Sequence, residues 1–176
     1  MNTFTVRLLG VIDGLNKIVG WLMALCLGAM TVLISWQVFA RFAMGNSLTF
    51  SEEVSRFLMI WLTMLGSAYA VRRGSLLAVD LVPELLSGRA RFIVNLVAHL
   101  VSLAFYVVLV VYGWNIAQAV AFQSAPATGV SMFWPMFALC AGGALCLINT
   151  IAVVIEDILQ GGESPHQDHL ILEAEG

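Results

Sequence analysis

Charge is scarce in this chain. Asp, Glu, Lys and Arg make up 11% of its 176 residues, against 60% hydrophobic residues. The formal charge of −3 comes with no basic patch, so no nucleic-acid partner is expected. The three cysteines, Cys26, Cys140 and Cys146, fall inside apolar runs and in no metal-ligand spacing. They read as small packing residues. No nucleophile–base set, Gly-rich phosphate loop or zinc motif occurs, so the chain is read as a non-enzyme with no cofactor and no metal. His166 and His169 stand in the tail without a third ligand.

Carboxylates are missing from the middle of every apolar run, and no run has a central proline. Ion-coupled transporters place carboxylates or unwound backbone near the membrane midplane. This chain alone is therefore not expected to couple transport to an ion. No internal repeat is visible, which argues against an inverted-repeat transporter in one chain. Nor is there the two-residue alternation of a membrane β-barrel.

What remains is four long apolar stretches, at about 18–40, 54–71, 92–121 and 134–155. Each is long enough to cross a bilayer as a helix, the form that satisfies its own backbone. An all-α, four-span membrane protein is predicted. The first stretch is too long for a signal-peptide core and no small-residue cleavage pattern follows it, so it is taken as retained. Arg7, Lys17, Arg72, Arg73, Arg89 and Arg91 fall on the side holding both termini, with only Arg41 and Arg56 opposite. The positive-inside rule then gives an N-in/C-in topology in the cytoplasmic membrane. Residues 161–176 form an acidic tail, expected to be cytoplasmic and disordered.

Residues 1–17 have helical apolar spacing and fit an interfacial helix or a frayed tail equally well. Residues 75–91 read as a segment lying on the inner membrane surface. Small residues recur at helical intervals: Gly20, Ala24 and Gly28, then Gly66 and Ala70, then Ala138, Gly142 and Cys146. Such stripes let membrane helices approach closely. Asn95, His99, Ser102 and Tyr106 share one face of the third span, which should point at protein. His99 is expected to bond between helices; a bis-His haem within the chain would need a second intramembrane histidine.

The densest polarity lies between the first two spans: Arg41, then Asn46 through Arg56. Thr49 and Glu52 form a capping-box pattern. Glu52 and Glu53 complement the helix dipole, and both are spaced to pair with Arg56, at i,i+4 and i,i+3. The cluster reads as a capped helix start, a contact surface, or both.

These residues also carry a resemblance. Arg41, Asn46-Ser47-Leu48, Phe50-Ser51-Glu52-Glu53, Arg56 and Trp61, followed by Gly66, Ala68, Ala70, Arg72-Arg73-Gly74 and Val79-Asp80, resemble the small membrane subunit (DctQ-like, Q subunit) of tripartite ATP-independent periplasmic (TRAP) transporters. Leu76-Leu77 stands where that family often has His-Ile. The resemblance implies a large multi-span permease partner holding the solute path and sodium sites, and a periplasmic solute-binding protein that delivers the solute. It implies a bracing role for this chain, in lipid, in a bacterial or archaeal inner membrane. The contact or docking candidates are Arg41, Glu52, Glu53, Arg56 and Trp61. Two other readings stay open: a membrane anchor of a redox complex, and a self-contained small four-helix exporter.

Overall fold

A computed structural model describes residues 3–43, 45, 49–73 and 89–159, with the side chains at 3–6, 89–93, 95 and 157–159 left undescribed. Four helices occur among the described residues: α1 (Thr3–Ala43), α2 (Thr49–Arg72), α3 (Arg89–Ala119) and α4 (Phe133–Leu159). All four are long and apolar enough to cross a membrane. The all-α class holds; the described residues form no strand beyond one isolated bridge, Ser124 to Ser131. Most of the expected surface segment at 75–91, the tail 161–176, the loop residues 46–48 and the side chain of Asn95 lie outside the described residues.

α1 differs from both readings of its first residues. It is one unbroken helix of 41 residues, about 60 Å long and about twice the hydrocarbon thickness. Its N-terminal turns are thus neither a separate helix nor frayed. α3 stops at Ala119, just short of the expected limit.

The helices lie in a row rather than in a closed bundle. α2 packs between α1 and α4, and α4 packs between α2 and α3. α1 meets α4 only slightly, and α3 makes no close backbone approach to α1 or α2 among the described residues. Missing side-chain bulk makes this order possible. A Cβ at Gly142 would stand 2.6 Å from Met64 Cβ, and one at Gly113 would stand 2.9 Å from the Cys140 nitrogen. Both glycines allow backbones to touch. Ala138, Cys146 and Ala152 continue α4's buried small-residue side. Between α1 and α2, Gly20 takes the Tyr69 ring and Gly66 the Met23 side chain.

Polar groups pin the row near the end that carries both termini. Asn149 of α4 is 1% exposed. Its Nδ2 donates to the Ala68 carbonyl at 2.7 Å and to Asn16 Oδ1 at 2.9 Å, while Asn16 Nδ2 donates back to Asn149 Oδ1 at 2.7 Å. One amide thereby joins α1, α2 and α4; Asn16 Nδ2 also donates to the Ile12 carbonyl at 2.9 Å, so all four amide N–H groups of the pair are bonded within the chain. Beyond it, Arg72 grips Glu156 with both terminal nitrogens, at 2.5 and 2.7 Å, and Asp13 through Nε at 2.8 Å. This planar fork cannot be copied by a lysine.

Two stability outcomes follow. Gly142→Val should destabilise the detergent-solubilised chain by about 1–3 kcal/mol, the usual cost of overpacking. Arg72→Lys should lower its melting temperature because bidentate pairing is lost, and Arg72→Ala should lower it further. Thermal melts followed by circular dichroism check both; unchanged melting of Arg72→Ala would contradict the pinning role.

Candidate functional site

The opposite end gathers the polar residues of the first connection. Glu53 and Arg72 mark the two ends of α2 and stand roughly 28 Å apart along its axis, close to the hydrocarbon thickness. The charges therefore sit at the two membrane boundaries, and the apolar length lies between them.

α2 begins at Thr49, which makes Thr49 the first helical residue rather than the cap. Its first turn holds the buried Ser51 and the exposed Glu52, and Glu53 follows. Glu52 pairs with Arg56 at 3.8 Å, as its i,i+4 spacing predicts. Both side chains are mostly exposed, at 60% and 67%, so in water the pair would contribute little.

Glu53 departs from expectation. Its carboxylate does not hold Arg56 but accepts three bonds from the loop between α3 and α4. The Ala127 amide donates at 3.2 Å, the Thr128 amide at 2.7 Å and the Thr128 hydroxyl at 2.8 Å, all to Oε2. Converging amides hold an anion better than an exposed i,i+3 cation does, because these donors are fixed and partly shielded.

The loop is built to present those amides. Ala125 N–H donates to Val130 at 2.8 Å, Gly129 N–H to Ala125 at 2.8 Å, and Met132 N–H to Gln123 at 2.9 Å. Gly129 takes a φ of 71°, which favours glycine. Ser131 caps α4, accepting the Phe133 amide at 3.2 Å while its hydroxyl donates to Ala121 at 2.7 Å. Aromatic packing supports the loop from below. Phe133 stacks on Phe137 at 5.5 Å between centroids, and Trp114 and Trp61 meet Phe137 at 6.2 and 6.3 Å.

The remaining candidates divide. Arg41 is exposed and lines a cleft of about 370 Å³ between the end of α1 and the start of α2, with Gln37, Glu52 and Ser55. Trp61 faces Phe137 inside the chain. Gly20, Gly66 and Gly142 are internal contacts, Ala70 is half-buried, and Ala24 and Gly28 are exposed. On α3, His99, Ser102 and Tyr106 are half-buried, and Gly113 and Ala117 farther along the helix are buried. Asp13, Asn16, Asn149, Ala127 and Thr128 were not singled out by sequence reasoning. Asn149, an amide within an apolar run, was the available signal.

The four apolar helices, the charged entrance to α2 and the opposed pinned end now stand beside known proteins. Residues 30–160 match the family described as tripartite ATP-independent periplasmic transporters, DctQ component. The chain belongs to the DctQ family. It is a multi-pass protein of the bacterial inner membrane. This DctQ-family chain is 25% identical over 125 residues to the sialic acid TRAP transporter small permease protein SiaQ of Vibrio cholerae serotype O1, covering 71% of this chain and 72% of that protein. It is 29% identical over 100 residues to the C4-dicarboxylate TRAP transporter small permease protein DctQ of the same organism, covering 57% of this chain and 43% of that one. It is 41% identical over 68 residues to the ectoine TRAP transporter small permease protein TeaB of Halomonas elongata, covering 38% and 35%. DctQ-family proteins are transporter components.

Glu53→Ala should free the loop. Backbone amide exchange at Ala127 and Thr128 should speed up by about tenfold or more, the loss of a charge-assisted bond. Glu53→Gln should give a smaller increase. Unchanged exchange in both would refute the anchoring.

Proposed function

We propose that this chain is the non-enzymatic small scaffold subunit of a TRAP-type secondary transporter. It braces a large multi-span permease and contributes to the surface where a periplasmic solute-binding protein docks. The four spans lie within α1, α2, α3 and α4, with both termini and the acidic tail 161–176 in the cytoplasm. The Glu53-anchored loop then faces the periplasm. Basic residues on the side of the termini support that orientation.

The observation that carries this reading is where the polarity lies in a DctQ-family chain. Charges cluster toward the two ends of the apolar spans and none lies at their middle. A subunit built this way has rigid ends and an inert middle. The sodium sites and the solute path belong to the large subunit, and this chain itself holds no cofactor or metal. The solute is a small organic anion, a class consistent with relatives named for sialic acid and C4-dicarboxylates.

Vesicles reconstituted with the large subunit, this chain and the binding protein provide the test. Glu53→Ala or Arg56→Ala should reduce sodium-driven uptake by about tenfold, as expected for loss of a docking contact worth about 1.4 kcal/mol. Solute affinity of the isolated binding protein should not change. Full uptake by the double variant would overturn the role given to this site.

A further inference from the structure

The row of helices leaves the large subunit a choice of faces, and the exposed residues differ between them. On α1, Trp21, Leu25, Val32 and Trp36 are exposed, bulky and apolar, a surface suited to lipid tails. The adjoining strip of α1 holds Ala24, Gly28, Thr31 and Ser35, also exposed. These recur at four, three and four residues and form one stripe along the helix. Nothing lies within 4 Å of a Cβ placed on Gly28. α2, the least apolar of the four helices, shows a second stripe. Its exposed positions Glu52, Arg56, Met59, Thr63 and Ser67 fall on one side, away from the residues that meet α4.

The two stripes meet at the cleft. Val38 and Phe42 extend the Thr31 and Ser35 strip by two turns and line one wall; Glu52, at the head of the α2 stripe, lines the other. Between them stand Gln37, Arg41 and Ser55. Ser55 is 6% exposed and its hydroxyl has no hydrogen-bond partner among the described residues. It is a buried polar group beside the cleft that no described residue satisfies, and such groups ordinarily find a partner. Close to it stand exposed charges of both signs, Arg41 and Glu52.

We propose that the joint α1–α2 face, rather than α3 or the Trp21–Trp36 side of α1, seats a transmembrane helix of the large permease subunit. The small stripe lets that helix approach closely. The cleft takes one of its polar side chains, which bonds to Ser55 and is complementary to Arg41 and Glu52. Small residues and side-chain hydroxyls on one face favour a helix over lipid tails, which gain nothing from close approach. This inference rests on the scaffold reading above and identifies its contact surface.

The test is co-purification with the tagged large subunit after co-expression in membranes. Gly28→Leu and Thr63→Leu, and most of all the pair together, should reduce recovery of the complex at least tenfold. Leu25→Ala and Val32→Ala on the bulky side should leave it unchanged. Melting of each isolated variant should match the wild type, since neither Gly28 nor Thr63 packs within the chain. A photo-crosslinking residue in place of Gly28 should capture the large subunit, and one in place of Leu25 should not. Normal recovery with both substitutions, or capture from position 25 alone, would overturn the face. Phospholipid retained by the wild-type complex and lost in Arg41→Ala without loss of the large subunit would overturn the cleft's assignment. Failure of the wild-type pair to co-purify would instead overturn the scaffold reading itself.

Discussion

Asn149 is the constraint on which the rest of the structure depends. A primary amide between membrane helices must find all its partners in protein, because lipid offers none. Asn149 finds them on two other helices, at Asn16 and at the Ala68 carbonyl. That requirement sets the register of α1 against α2 and of both against α4. Apolar packing alone would leave the register loose, since one leucine replaces another after a turn. The hydrogen bonds need not be strong; interhelical polar contacts in membranes average well under a kcal/mol above their alternatives. Their value is that a register shifted by a turn would strand two amides in hydrocarbon.

The Arg72 fork extends the same logic to the boundary. It is 11% exposed and bound to carboxylates from α1 and α4. Its guanidinium lies near the end of α2, where the helix dipole also favours a cation. At the other end Glu53 performs the mirror task with the opposite charge. It stands in the first turns of α2, where the dipole favours an anion, and it captures a loop instead of a helix. α2 is thereby fixed at both ends, to α1 and α4 at one and to the α3–α4 loop at the other.

Much of this was legible beforehand. Four uninterrupted apolar runs required four helices, because charge and proline were absent where a helix would cross lipid. The spacing of small residues pointed to Gly142, Gly66 and Gly20, each of which meets a side chain of a neighbouring helix. Local rules also found the Glu52–Arg56 pair. They failed for Glu53, whose spacing to Arg56 is equally good. The competing partner lay far away in sequence, and no spacing rule can see three donors converging from a folded loop. Arg72 was read only as a topology signal for the same reason. Its carboxylates belong to other helices, and nothing in the runs themselves orders the helices in a row. Ala24 and Gly28 show the opposite limit. Their spacing promised a helix contact, but the chain's own helices do not supply it.

An open row has a consequence that a closed bundle would not. A bundle turns its small and polar residues inward and shows lipid an apolar shell. A row keeps two faces, and this one keeps small and hydroxyl-bearing residues exposed on α1 and α2 while α3 and the far side of α1 carry bulky apolar groups. Isolated in lipid, such a chain wastes its capacity for close packing. Set beside a larger membrane protein, it gains backbone contacts along α1 and polar contacts at the cleft, without spending its own internal pins to do so. The pins at Asn149, Arg72 and Glu53 are all satisfied within the chain. What it offers a partner is therefore a preformed surface, and binding need not pay for ordering the helices that bear it.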